Sequence, residues 1–180
     1  PSFHLEYFQK CASLGKPIFL DKPLADNIQK GAEIVRISQE KGIRMFSSSP
    51  LRFVEALLGA CTQMPKPLYA TIYGPLGKSP SGSSIVWYGV HAFEMLERAM
   101  GIGASSVTVN MVGSGAVAVV DYADRRRGVV ELTTGVFTYG GCLRDASKSV
   151  PYSVDMGMAY TLTLGQVRDF FHGSGTPVSL

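Results

Sequence analysis

Phe8, Cys11, Ala12 and Gly15 recur at i, i+3, i+4 and i+7, the repeat of one helical face, and predict a helix over residues 3–14. Ser2 stands where a cap is expected and Gly15 where a helix ends. The apolar run 17–21 suits a short, fully buried strand. Asp26 then marks the start of a second helix reaching about Lys41, with Ile28, Gly31, Ala32 and Val35 on one face and Gly42 as terminator. Residues 43–47 form another short strand, with Arg44 its one charged member. This α-β-α-β order with short joints is the rhythm of a doubly wound parallel sheet.

The pattern changes after Pro50. A short helix is followed by a strand over 68–73, a Gly/Pro/Ser-rich loop over 74–84 and a helix over 85–100. Strand signals then repeat at 105–112, 116–123, 128–134, 136–143 and 158–164, and no helix intervenes, so mostly antiparallel pairing is expected. The 85–100 helix is the natural cover for one face. A last helix is expected near 165–172, before a tail that ends Pro177-Val178-Ser179-Leu180. The fold class is thus α/β joined to α+β: the end of a doubly wound domain over 1–48, then an open, mainly antiparallel sheet domain over 49–180. Two runs, Val107-Val109-Met111 and Val117-Val119, are expected to give one sheet face an apolar surface for homo-oligomer contact.

Composition narrows the classes. A net charge of +3 with 17% charged residues argues against a nucleic-acid partner. The basic run Arg125-Arg126-Arg127, between Asp124 and Gly128, reads as a solvated hairpin turn. Cys11, Cys61 and Cys142 are scattered without metal spacing, which suits reduced thiols in a cytoplasmic protein. No apolar run has the length of a membrane span.

Three glycine clusters fail as phosphate loops. Gly74-Pro75-Leu76-Gly77-Lys78-Ser79 has Ile72 where the earlier glycine is required. Gly113-Ser114-Gly115 lies between two strands and reads as a hairpin turn. Gly101-Ile102-Gly103 follows a helix, the reverse of the needed order.

Two segments carry candidate chemistry. On a wheel of about 100° per residue, Trp87, His91, Glu94 and Arg98 share one arc, while Val86, Phe93, Leu96 and Met100 form the core face. Glu94 is spaced to pair with His91 or Arg98. Taken alone, this face also fits an exposed Glu–Arg pair with an incidental histidine. Lys22 ends a buried strand and is held extended by Pro23. A plain turn would read the same way, but the carboxyl end of a strand in an α/β sheet is where ligands bind.

In order, these segments resemble the glucose–fructose oxidoreductase and inositol dehydrogenase (Gfo/Idh/MocA) family. That family's Ala-Gly-Lys-x-x-x-x-Glu-Lys-Pro-Leu-Ala segment is matched by residues 14–25, with Asp21 for the usual Glu. Its Gly-x-His motif is matched by Gly89-Val90-His91. Of its Gly-Tyr-Asn-x-Arg-Phe, only Arg52-Phe53 is kept, and Trp87 stands where many members carry an Asp. The resemblance implies a piece of such an enzyme, without the glycine-rich first half of the Rossmann domain and without the usual closing helix.

It further implies an oxidoreductase that moves a hydride between the carbinol of a sugar or polyol and NAD or NADP. His91 is then the general base, and an ordinary histidine pKa of about 6.5 suits that work. Lys22 would stabilise the developing alkoxide. Arg52, Trp87 and Glu94 would line the substrate site, with Glu94 orienting His91. Asp21, Lys22 and Pro23 would contact the cofactor, and Lys22 and His91 are expected to meet across one cleft. A homodimer or homotetramer through the sheet, with no membrane partner and no metal, completes the expectation. Two alternatives stay open: a non-catalytic sugar-binding and dimerisation module, and an NAD-dependent enzyme of elimination type.

Overall fold

The computed structural model describes residues 1–80 and 82–179. Ser81, in the expected 74–84 loop, and Leu180, at the end of the expected tail, lie outside them. The chain divides into two compact units, Pro1–Ser49 with the segment from Tyr160 onward, and Pro50–Ala159. The division after Ser49 lies one residue from the boundary read in the sequence. The segment from Tyr160 onward, grouped there with the sheet domain, clusters with the first unit.

The first unit keeps the expected order: α1 (His4–Ala12), β1 (Ile18–Asp21), α2 (Ile28–Lys41) and β2 (Met45–Ser48). β1 and β2 pair in parallel, Ile18 opposite Met45 through Asp21 opposite Ser48. Helix caps differ from expectation by one residue. Phe3, not Ser2, precedes α1 and makes no side-chain cap bond. Asn27, not Asp26, caps α2 by accepting from the Lys30 amide at 2.9 Å. Gly42 ends α2 with a φ of 62°, in the left-handed region that glycine adopts without cost.

The buried face of α2 is Ile34, Ile37 and Ser38, not the face through Ile28, which is 80% exposed. Ile34 and Ile37 meet Phe8, Ala12 and Met45, so α1 and α2 cover one side of the two strands. The other side is aromatic: the Phe46 ring lies 4.9 Å from both Phe19 and Phe170. Phe170 comes from α5 (Ala159–Phe171), where a strand over 158–164 was expected and a helix only from 165. Arg44 fastens α5 in place, donating to the carbonyls of Phe170 at 3.0 Å and Gly175 at 3.3 Å.

The second unit begins with a 3-10 turn (Pro50–Phe53) and α3 (Glu55–Gln63). It continues through β3 (Tyr69–Pro75), a π-helical turn (Ile85–Gly89) and α4 (Val90–Met100). Then come β4 (Ala104–Val112), β5 (Gly115–Tyr122), β6 (Arg127–Thr133), β7 (Gly140–Arg144) and β8 (Ser149–Ser153). These strands form one six-stranded sheet in the order β4-β5-β6-β3-β7-β8. All neighbours are antiparallel except β3 and β6. β8 has no counterpart among the expected strands.

Helices cover one face of this sheet. α4 packs on β3 and β6, and α3 on β7 and β8. The core face of α4 is Ala92, Met95, Leu96, Ala99 and Met100, while Val86 and Phe93 are only half-buried. Close approach depends on glycine: a Cβ on Gly128 would meet Leu96 at 2.6 Å, and one on Gly89 would meet Leu132 at 2.7 Å.

The hairpin register corrects one expectation. Val107, Val109 and Met111 stand opposite Val120, Ala118 and Ala116, so they share the helix-covered side but lie on its exposed edge strand. Val117 and Val119 point to the open face instead. The two apolar runs are therefore on opposite faces. The two-residue turn at Gly113-Ser114 causes this, because it sets odd positions of β4 against even positions of β5.

Arg52 ties the 3-10 turn to α4. Its side chain is 8% exposed, it donates to the Glu94 carbonyl at 3.3 Å, and it pairs with the carboxylates of Glu97 and Glu94, the latter at 3.8 Å. A wholly buried pair costs about 3–5 kcal/mol to break from one side. Glu97 keeps 40% of its side chain exposed, so water recovers part of that. Arg52→Ala is expected to cost roughly 2 kcal/mol, read as a thermal midpoint lower by about 4–8 °C. Arg52→Lys should recover part of the loss.

Candidate functional site

In the first unit, Lys22 directly follows β1, at the carboxyl end of the parallel pair, and is half-buried. Its peptide bond to the buried Pro23 is cis. The joint to α2 is held at several points. His4 Nδ1 lies 3.1 Å from the Leu24 carbonyl, Asn27 Nδ2 donates to Asp26 at 2.9 Å, and Lys30 pairs with Asp26 at 3.0 Å. The Lys30 hydrogen bond holds the Asp26 carboxyl below its usual range. Lys22 is thus carried on a fixed backbone. The His4 contact could not be read from the sequence, because it joins residues twenty apart with no periodic relation.

Asp21 is exposed at the end of β1, opposite Ser48 at the end of β2. Ser48 is fully buried, and its Oγ has no hydrogen-bond partner. A buried hydroxyl without a partner is costly, and it marks a place where water or a ligand atom completes the bonding. The carboxyl edge of this parallel pair therefore fits the polar end of a nucleotide cofactor. Sequence reading passed over Ser48, since a serine run before a proline looks like any loop entrance.

In the second unit, His91 lies in the first turn of α4 and is half-buried. Its ring meets Tyr139 edge to face, centroids 5.7 Å apart and planes at 73°. Tyr139 is 8% exposed, on the segment leading into β7. It also lies against Gly74 of β3, where a Cβ would come within 2.7 Å of its ring. Gly74, Tyr139 and His91 thus form a packed row from sheet to helix. Tyr139 was missed because nothing in the helical repeat links it to His91.

Trp87 sits in the π-helical turn and is half-buried. Wheel angles of 100° per residue do not carry across that turn, because its hydrogen bonds span one residue more. The single arc through Trp87, His91, Glu94 and Arg98 therefore holds only from His91 onward. Glu94 meets Arg52, a partner that helical spacing did not offer, and Arg98 is exposed.

Other titratable groups respond to burial. The Cys61 thiol and the Tyr122 phenol are pushed up, as is the Tyr152 phenol, whose hydroxyl is buried without a hydrogen-bond partner. Among the described residues, no cluster of three or more His, Cys, Asp or Glu could hold a metal ion. Among them, too, no helix is long and apolar enough to cross a membrane.

No protein-family profile matches the chain, and no curated protein does. Solved structures do. GenD2 from gentamicin A biosynthesis, in complex with NAD, matches with a TM-score of 0.73 at 13% identity, over 87% of this chain and 53% of that one. For scyllo-inositol dehydrogenase from Lactobacillus casei, with bound NAD(H) and scyllo-inositol, the TM-score is 0.70 at 12% identity, over 87% of this chain and 56% of that one. The fold is similar over 100% of its length to myo-inositol 2-dehydrogenase from Lactobacillus plantarum, with a TM-score of 0.80 at 14% identity and 70% of that chain covered. The chain thus spans between about half and seven tenths of the length of these structures. At such identities the likeness establishes the fold, which is that of the C-terminal part of Gfo/Idh/MocA-type dehydrogenases.

Proposed function

We propose that this chain contributes the catalytic and substrate-binding residues of an NAD(P)-dependent oxidoreductase acting on a sugar, polyol or related carbinol. The observation that carries the reading is His91, a half-buried imidazole at the head of α4, in a fold shared with a dehydrogenase bound to NAD(H) and scyllo-inositol. His91 takes the hydroxyl proton as general base. Lys22, on its fixed backbone, donates a charge-assisted hydrogen bond to the substrate oxygen and stabilises the alkoxide as charge develops. Trp87 and Glu94 line the substrate site. Arg52 belongs with them, and its ion pairs hold Glu94 in position.

Asp21, Lys22 and Pro23, with the Ser48 hydroxyl, would hold the nicotinamide end of the cofactor. When bound, that group supplies the hydride acceptor. The three free cysteines support a cytoplasmic setting. The open sheet face, with Val117, Val119 and Val129 across neighbouring strands, supports self-association into a homodimer or homotetramer.

The test is to assay the complete gene product against a panel of polyols and sugars with NAD⁺ and NADP⁺, following reduced nicotinamide. Turnover with at least one carbinol is expected. The 180-residue chain alone should show no saturable binding of either cofactor in calorimetric titration. A dinucleotide pyrophosphate is held by a glycine-rich turn that opens a helix, and this sequence carries no such motif. Substrate consumed without reduced cofactor would favour elimination chemistry. Carbinol binding without any turnover would favour a sugar-binding module. Micromolar NAD⁺ binding by the short chain would show that the cofactor residues are misassigned.

A further inference from the structure

The far end of α4 from His91 borders a separate pocket of about 590 Å³. Its walls come from the joint between α3 and β3, from the last turn of α4, and from the β5–β6 turn. Three cations line it, Lys66, Arg98 and Arg126, against one carboxylate, Asp124. We propose that this pocket binds a small organic phosphate, at a site distinct from the one built on His91.

Arg126 is built in rather than dangling, while Arg125 and Arg127 stay exposed as in a solvated hairpin turn. Its side chain is 21% exposed and lies over the Tyr122 ring at 4.6 Å. Nε donates to Asp124 at 2.7 Å, and Nη1 donates to the Met100 carbonyl at the end of α4. Nη2 is left without a protein partner among the described residues, so a fixed guanidinium keeps donors in reserve. Lys66 is flanked by Pro65 and Pro67, which stiffen the backbone that carries it. Lys66 and Arg98 make no hydrogen bond or ion pair among the described residues, although both face the pocket.

The charge balance selects the ligand. Asp124 offsets one cation and leaves an excess of two, which matches a phosphomonoester of roughly −1.5 to −2 at neutral pH. A carboxylate would leave one cation unmatched. The remaining wall is Pro65, Pro67, Leu68, Ala99, Met100 and Gly101, which suits a small organic body behind the phosphate. Cations set within a cavity, rather than along a stripe, favour a compact ligand over a polyanionic chain.

The experiment is an amide chemical-shift titration of the protein with glucose 6-phosphate, inorganic phosphate and glucose. Saturable shifts are expected at Lys66, Arg98 to Gly101 and Asp124 to Arg126. Glucose 6-phosphate should bind several-fold more tightly than phosphate, and glucose should not bind. Arg98→Gln combined with Lys66→Gln should weaken binding at least tenfold without lowering the thermal midpoint, since neither residue holds the fold. Absence of saturable shifts, equal affinity for glucose, equal affinity for bare phosphate, or full affinity in the double variant would each overturn the proposal. Shifts confined to residues around His91 would overturn it as well. None of these outcomes depends on whether the chain serves an oxidoreductase.

Discussion

An alanine at Gly115 is expected to cost more than about 4 kcal/mol and to leave little folded protein at 37 °C, a size of effect that needs a specific mechanism. The mechanism is a backbone collision. A Cβ there would lie 1.8 Å from the Leu132 carbonyl oxygen on β6, and Gly115 has a φ of 155°. No rotamer relieves a clash with backbone, so the β5–β6 ladder must open where Ala116 pairs with Leu132. The same end of the sheet is tied by the Thr134 amide donating to the Ser114 carbonyl at 2.7 Å and the Leu76 amide donating to the Thr133 carbonyl at 2.9 Å. Gly113, two residues earlier, has open space around its Cβ position, and its φ is not positive. Gly113→Ala should therefore be neutral, or stabilise by up to about 1 kcal/mol through the unfolded chain. Urea unfolding of both variants checks the pair. A Gly115→Ala protein within about 1 kcal/mol of the parent would mean that the β5–β6 register is wrong.

The contrast between these glycines shows what could be read from sequence. The Gly-Ser-Gly turn was visible from its position between two strands, but which of its glycines is indispensable depends on a carbonyl seventeen residues away. Local pattern was enough to find α1, β1, α2 and β2, because each is short, amphipathic or apolar, and punctuated by glycine or proline, but it chose the wrong face of α2. It failed at Ala159-Tyr160-Thr161-Leu162-Thr163-Leu164, which alternates like a strand. There the docking of Phe170 on Phe46, held by Arg44, favours a helix. It failed again at β8, where Pro151 signals a loop. β8 is an edge strand, and an edge tolerates a residue that cannot donate to the ladder.

The candidate site divides along the same line. The places of Lys22 after β1 and of His91 on α4 were legible because a proline and a helix turn mark them in sequence. Their supports, His4, Ser48, Tyr139 and the Arg52–Glu94 pair, were not, since each depends on residues brought together only by folding. The parallel placement of β3 beside β6 has the same character. Nothing in either strand announces its neighbour, and the order follows from where α4 returns the chain.

His91→Ala, introduced into the complete gene product, is expected to lower kcat by about 10²–10⁴ with little change in thermal midpoint. Removing a general base leaves substrate binding and the cofactor in place, so KM should move far less than kcat. Lys22→Met should lower kcat by about 10²–10³, the size of loss seen when one donor to a developing oxyanion is removed. If the two side chains serve one proton transfer, their effects do not add. The double variant should be hardly slower than the slower single variant. Full additivity of Lys22 and His91 would separate them into unrelated roles. Unchanged turnover in His91→Ala would remove the histidine from the chemistry and leave the shared fold without its proposed base.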